Sequence, residues 1–440
     1  MKRTEDAADP ILHEAQKRFE AAEVYEEGGE SASVGFEDNR LKEITAHQFR
    51  GVGLRVIHKG RIGFASTTDL RDPSRLVEMA AASAEFGDRA QFQLPSQPPQ
   101  LAEIQTYDKR IERVTAKQMV DMGREGLEMS KAADAGYLYS CGVWRSTHTQ
   151  RIQNSRGLDA ARSSTSMGAS VSVQEVSDSG LLQVYEFKDW GRRLDSVTDL
   201  ARTVLDKMKQ AAAVVPGRLE AMPMVFTPKA ASILFGPVGI ALNGKHVHKG
   251  SSVLRGRIGE QVLDERITVT DDPAVPFAPG TCATDDEGTP TRKQHFFDKG
   301  VLKTFLTDLQ TAALLKTEPS GHGFRGYGSR PSPSSTNVII EPGDVSYDDM
   351  VRGMKRGLII DQTLGSGQSN VLAGEFSVNV ELGFVVEDGR IVGRVKDCMV
   401  AGNVYEVLKH VEAIGSEAQW LGSRCVPPIM VGGLKLAAKG

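Results

Sequence analysis

The chain has 440 residues, of which 40% are hydrophobic and 25% are charged, the composition of an ordinary globular protein. Because a single hydrophobic core stops growing at roughly 250 to 300 residues, we expect two domains. The formal net charge of −4 provides no excess of cations for phosphate contacts, which argues against direct binding of nucleic acid.

The amino terminus, the uncharged segments and the cysteines indicate the cellular compartment. Met1–Arg18 has no apolar core of the kind a signal peptide needs, and the uncharged stretch around residues 230–244 is too short to span a membrane. No CxxC pair is present, since the four cysteines are far apart: Cys141, Cys282, Cys398 and Cys425. We therefore expect a cytoplasmic protein without a membrane span.

The amino-terminal half alternates helical and strand-like patterns. Apolar residues at three- and four-residue spacing predict a helix over residues 11–19, and turn sequences separate five short strands between residues 22 and 68. Further helices are predicted at 73–86, 114–132 and 194–213, with strands between residues 137 and 174. These patterns predict an amino-terminal α/β domain, a meander plus helices, over residues 1–215, followed by a linker at Val214–Pro223.

The second half is richer in short strands. Glycine-bearing turns between apolar strands predict hairpins at Phe296–Val301 and Val386–Ile391. Helices are fewer, and one is predicted over Ala230–Leu242. The sequence thus predicts an α+β fold with two domains, the second of them mostly antiparallel β over residues 223–440.

Several segments, in this order and at these intervals, resemble the TldD/PmbA family, a peptidase family once called modulators of DNA gyrase. One segment would be weak support, but together they extend over most of the chain. They are Phe36–Glu43, Gly51–Arg55, Gly60–Thr67, Arg255–Val262, Asp285–Thr291, Gly300–Thr307 and Gly422–Pro428.

In the TldD branch of that family, a His-Glu-x-x-x-His helix lies just before the counterpart of Gly250–Val262, and a late cysteine completes a zinc site. Counting back without gaps from Gly250, the first histidine falls on Phe235, the glutamate on Gly236 and the second histidine on Ile240. These side chains cannot coordinate zinc or accept a proton from a metal-bound water. We also expect Gly236 and Pro237 to weaken the helix.

The chain therefore resembles the TldE/PmbA-type subunit. The resemblance implies a non-catalytic subunit with no cofactor of its own, paired with a TldD-type catalytic subunit that holds zinc, or forming a homodimer in its absence. It also implies that the assembly processes or degrades unfolded peptides in an enclosed chamber, to which this chain contributes wall and peptide-binding surface.

Three residues are weak metal-ligand candidates. His246 and His248 would share a face on a strand, but no carboxylate or cysteine stands near them in sequence, so a solvated loop is the favoured interpretation. Cys425 matches the late cysteine of the zinc branch only approximately, and a buried small side chain is favoured.

Gly321–Gly326 fits the GxGxxG pattern of dinucleotide sites but lacks the preceding strand and the following helix. We predict a mobile glycine loop instead. By the family resemblance this loop lies near the chamber, which makes His322 and Arg325 candidates for contact with peptide.

Two other functions remain open. One is an independent metallopeptidase with substitute ligands, drawn from His246, His248, His322 and Cys425. The other is a regulatory protein-binding partner, for example of DNA gyrase, although the sequence offers no basic groove or stacking platform for nucleic acid.

Overall fold

A computed structural model describes residues 8–96, 101, 103–177, 180–217, 220–365 and 369–438. Up to residue 210 the helices are α1 (Ala8–Gln16), α2 (Pro73–Ala84), α3 (Lys109–Glu112), α4 (Ala116–Ala133) and α5 (Thr198–Gln210). The strands of this part are β1 (Ala21–Glu37), β2 (Arg40–His58), β3 (Arg61–Thr67), β4 (Leu138–Asn154), β5 (Asp159–Ser177) and β6 (Gly180–Trp190).

These strands form one antiparallel sheet in the order β3-β2-β1-β4-β5-β6. The five short strands expected between residues 22 and 68 are three longer ones, because β1 and β2 stay paired from Ala21 to Glu37. The predicted turns are correct, with Asn39 and Lys59 at φ of 66° and 51°, in the left-handed region.

Helices cover this sheet at two places. In α2, Asp72 accepts a hydrogen bond from the Arg75 amide, and Pro73 stands at the first turn, where its missing N–H costs nothing. Together, α1 and α2 pack against β1, β2 and β3, whereas α4 and α5 pack against β4, β5 and β6.

The second half of the chain contains α6 (Pro228–Ala241), α7 (Gly244–Lys249), α8 (Leu309–Leu315), α9 (Tyr347–Gly353) and α10 (Val404–Val407). Its longer strands are β7 (Ala221–Phe226), β9 (Gln294–Asp298), β14 (Arg356–Leu364), β15 (Glu375–Glu387), β16 (Arg390–Arg394), β17 (Cys398–Asn403), β18 (Val411–Ile414) and β21 (Ile429–Ala438). The short ones are β8 (Val269–Asp271), β10 (Val301–Leu302), β11 (Gly323–Phe324), β12 (Ser332–Pro333), β13 (Val338–Ile340), β19 (Gln419–Leu421) and β20 (Arg424–Val426).

Five of the longer strands form a closed sheet, since β14 pairs with β7, β7 with β21, β21 with β17, β17 with β15, and β15 again with β14. A second sheet runs β10-β9-β8-β13-β20-β19. Most pairs are antiparallel, with β7–β14 and β13–β20 parallel, so the predicted α+β class with a mostly antiparallel second half is confirmed. The proposed limits at residues 215 and 223 stay a prediction.

The helix predicted over Ala230–Leu242 is confirmed as α6, which runs without a break from Pro228 to Ala241 with Pro237 inside it. Proline removes one intrahelical hydrogen bond and costs about 3 kcal/mol in a helix interior. Burial offsets that cost, since most apolar side chains of α6 lie in the core around the closed sheet. Among the described residues, no helix is long and apolar enough to cross a membrane.

Candidate functional site: two cavities along helix α6

Helix α6 borders two cavities of different size. Its first turn lines a cavity of about 980 Å³, and its carboxy-terminal half lines one of about 250 Å³. The β19–β20 hairpin also borders both, with Trp420 on the large cavity and Arg424 on the small one. The positions expected to replace the zinc motif belong to the small cavity.

The small cavity has mostly hydrocarbon walls. Phe235, which is 6% exposed, and the half-buried Gly236 and Ile240 all line it. A Cβ built on Gly236 would meet no atom within 4 Å, so a larger side chain has room at this position. The other lining residues are Val238, Gly239, Leu242, Asn243, His246, Val269, Phe296, Leu306, Pro333, Ser334, Ser335, Val338, Ile340 and Arg424.

His246 and His248 lie in helix α7, so the loop predicted for them is wrong. The Asn243 side chain accepts a hydrogen bond from the Lys245 amide and begins this helix. Residues two apart on a helix point about 200° apart, so the two imidazoles do not share a face. His246 lines the small cavity, and its Nδ1 lies 3.1 Å from Ser251 Oγ, whereas His248 is exposed.

Cys425 is buried in β20, beside Arg424. Burial, with a contribution from Glu341, raises the pKa of the Cys425 thiol to about 11. In the metal-free chain this group is therefore a neutral thiol near pH 7.

His322 lies in the interior, 1% exposed. Its Nε2 is 3.0 Å from Asp271 Oδ2 and its Nδ1 is 2.9 Å from Ser320 Oγ. Both ring nitrogens are therefore occupied by groups of this chain.

Arg325 is also buried, with its guanidinium 2.6 Å from Glu23 Oε1 and 4.6 Å from the centre of the Tyr25 ring. Its amide donates to Asp286, as the Gly323 amide does to Asp285. The mobile loop predicted here is thus wrong, because these bonds fix the segment against β1. Contact of His322 or Arg325 with peptide stays a prediction.

Over the described ranges, no group of three or more His, Cys, Asp or Glu side chains is arranged to hold a metal ion. Zinc requires nitrogen, sulfur or oxygen ligands, and the side chains of Phe235, Gly236 and Ile240 carry none. The residues around the small cavity do not fit zinc.

The large cavity contains a cluster of four charges, of which Asp361 is buried and the other three are half-buried. Lys207 Nζ lies 2.6 Å from Glu186 and 2.7 Å from Asp361, and Lys229 Nζ lies 3.0 Å and 3.2 Å from the same two carboxylates. Burial alone would raise the pKa of Asp361, but Lys229 and Lys207 outweigh it and lower that pKa. The two carboxylates likewise outweigh burial at Lys207 and raise its pKa. With two lysines and two carboxylates, the formal charges of the cluster cancel.

One stretch of strand edge faces this cavity without a backbone partner. On β6, the Tyr185 amide donates to Gln362 and its carbonyl accepts from Lys229, so these groups point away from β5. The β5–β6 register has no shift, and backbone direction alternates along a strand, so Phe187 and Asp189 point the same way. Within the described residues, nothing bonds their outward N–H and C=O groups.

The sequence alone did not indicate the large cavity. Glu186, Lys207, Lys229 and Asp361 stand on four separate elements, and only the fold brings them together. One signal was available, since Lys229 and Asp361 interrupt otherwise apolar segments.

Comparison with known proteins agrees with this fold. A model of the PmbA/TldA metallopeptidase C-terminal domain matches residues 219–438, and a model of PmbA/TldA metallopeptidase domain 1 matches residues 22–84. The chain belongs to the PmbA/TldD family. The expectation drawn from its sequence motifs is thereby confirmed.

Relatives of the family align over nearly the whole chain. A metalloprotease of Methanothermobacter thermautotrophicus is 25% identical over 94% of this chain and 91% of its own length. The metalloprotease PmbA of Escherichia coli O157:H7 is 23% identical over 98% and 96%. The crystal structure of TldE from Thermococcus kodakarensis superimposes with a TM-score of 0.91, at 24% identity, over 98% of this chain and all of that one. At 24% identity, the similarity to the Thermococcus kodakarensis structure establishes the fold alone.

Proposed function

We propose that this chain is the zinc-less, non-catalytic subunit of a TldD/TldE-type metallopeptidase that processes or degrades unfolded peptides. In this role it contributes chamber wall and a surface that binds the peptide. The observation that carries the proposal is the hydrocarbon lining at Phe235, Gly236 and Ile240, where family counting places two zinc ligands and a general base. Losing all three removes the metal, the nucleophile and the proton acceptor together.

Substitute ligands do not repair this loss. His248 is exposed on a different side of α7 from His246, and His322 is engaged by Asp271. Over the described residues, Cys425 belongs to no group of three or more His, Cys, Asp or Glu side chains that could hold a metal. These positions weigh against an independent metallopeptidase.

The open edge of β6 supports a role in binding peptide. An extended peptide can add to a strand edge through main-chain hydrogen bonds, which do not depend on its sequence. Phe187 and Asp189 offer such groups inside a cavity large enough for several residues. Trp190 and Trp420, whose rings are 5.0 Å apart, border the same space and can pack against apolar side chains.

Peptide hydrolysis with and without a partner tests the proposal. The purified chain alone should leave an unstructured peptide intact, and adding a TldD-type subunit with an intact His-Glu-x-x-x-His motif should produce chelator-sensitive cleavage. The partner alone should be less active than the pair. Cleavage by the isolated chain, abolished by chelator, would contradict the proposal.

A matched pair of variants tests the strand edge in that assembly. Phe187→Ala and Phe187→Pro both remove the ring, but only proline removes the outward N–H, and an edge strand tolerates proline at such a position. We expect the Phe187→Pro assembly to bind peptide about fivefold more weakly than the Phe187→Ala assembly, the effect of one hydrogen bond. Equal affinities would exclude this edge as the peptide site and leave the zinc-less assignment intact.

A further inference from the structure

The small cavity has an unusual distribution of charge. The described residues that line it include Arg424 and His246 but no aspartate or glutamate. Arg424 is exposed at the cavity, and no carboxylate of the described residues pairs with its guanidinium. An arginine without a protein partner beside an apolar space is available to an anion from outside.

Other hydrogen-bonding groups lie around the same space. The hydroxyls of Ser334 and Ser335 have no partner among the described residues, and His246 uses only Nδ1, toward Ser251. A few polar groups at an otherwise apolar cavity are the usual composition of a small-ligand site.

The volume limits the apolar part of such a ligand. An engineered apolar cavity of about 150 Å³ accepts benzene, so about 250 Å³ is enough for one branched aliphatic or aromatic group. Gly236 and Gly239 border this open space, and a Cβ built at either position would meet nothing within 4 Å.

We propose that this cavity binds a small carboxylate, with its apolar group between α6 and β13 and its carboxylate on Arg424. The site takes the place that the zinc motif has in the catalytic branch, and it binds an anion rather than a cation. The site itself does not depend on the proposed function. Assigning the carboxylate to the C-terminal residue of a peptide does rest on it.

Calorimetric titration of the purified chain tests this site with three probes. N-Acetyl-leucine should bind at one site per chain, and N-acetyl-leucinamide, which lacks the charge, should bind at least about tenfold more weakly. Tighter binding of N-acetyl-leucine than of 4-methylpentanoate assigns the site to a peptide terminus, whereas equal affinity assigns it to a simple carboxylic acid. Equal binding of acid and amide, or no saturable binding of either acid, would overturn the proposal.

Two variants with matched controls locate the binding. Arg424→Gln should weaken N-acetyl-leucine about tenfold, with partial recovery in Arg424→Lys, whereas Arg75→Gln removes an exposed arginine elsewhere and should leave affinity unchanged. Gly236→Leu should fill the cavity and abolish binding, whereas Gly353→Leu, on the exposed end of α9, should not. Unchanged affinity in Arg424→Gln or in a folded Gly236→Leu would exclude this cavity.

Discussion

The two cavities along α6 differ in how they treat charge. In the large cavity, four charges that are buried or half-buried neutralise one another, with Lys207 and Lys229 each close to Glu186 and Asp361. In the small cavity, most lining side chains are apolar, and no carboxylate of the described residues pairs with Arg424. One helix thus borders a cavity with paired charges at its beginning and a cavity with an unpaired arginine at its end.

This difference predicts that substitutions at the two cavities affect different properties of the protein. Buried charges that are paired are hard to change singly, because removing one leaves its partners without compensation. At the small cavity, Arg424 has no carboxylate partner among the described residues and remains free for a ligand. We therefore expect changes to the charge cluster to affect stability and changes at Arg424 to affect binding.

The largest effect is expected from Asp361→Ala. It leaves Lys207 and Lys229 with Glu186 alone, and breaking a buried charge cluster in this way costs about 3–5 kcal/mol of unfolding free energy. Denaturant titration measures the loss. Asp199→Ala, which removes an exposed pair with Arg202 and a carboxylate in the first turn of α5, is the control and should cost at most about 1 kcal/mol. Equal stability of the two variants would show that the cluster is not structural.

The second largest effect is expected from Phe235→Ala. It should lower the unfolding free energy by about 3 kcal/mol, because it removes a buried aromatic ring from the wall of the small cavity. Phe86→Ala, at a position 90% exposed, is the matched control and should be neutral in the same denaturant titration. If Phe235→Ala were neutral as well, the apolar wall would not be part of the core.

The next largest effect is expected in the pH dependence of stability, to which Asp361 in the large cavity contributes. The pKa of Asp361 is lowered in the folded chain, so its contribution is present above its unfolded pKa of about 4 and is lost as pH falls through the folded value. The denaturation midpoint of the wild type should therefore fall more steeply below pH 4 than that of Asp361→Asn. Parallel curves would contradict the lowered pKa.

The smallest effect concerns Cys425. Its raised pKa of about 11 and its burial predict negligible alkylation by iodoacetamide at pH 7.5 in the folded chain, read by peptide mass spectrometry. The unfolded chain, alkylated rapidly at the same position, is the control. Rapid labelling of the folded chain would reveal a reactive thiolate and revive Cys425 as a metal ligand.

The sequence was sufficient where local chemistry decides the structure. Asp72 and Pro73 mark the start of α2, and the turn at Lys59 and Gly60 separates β2 from β3. The family motifs led to the correct family and fold class. Pro237 lowers the local helix propensity, yet it lies inside α6 because tertiary burial of this helix outweighs the local preference.

Distant contacts were beyond the sequence. A glycine-rich segment around His322 resembles a mobile loop, yet buried bonds to Asp271, Asp285 and Asp286 fix it. Arg424 is next to Cys425 in the sequence, but only the fold places it on the cavity where Phe235 lies.

The most direct test of the central claim is the zinc content of the isolated chain. After loading with zinc and dialysis, elemental analysis should find far less than one zinc per chain, while a TldD-type subunit with the intact motif, treated in the same way, should retain about one. One chelator-sensitive zinc per isolated chain would contradict the account.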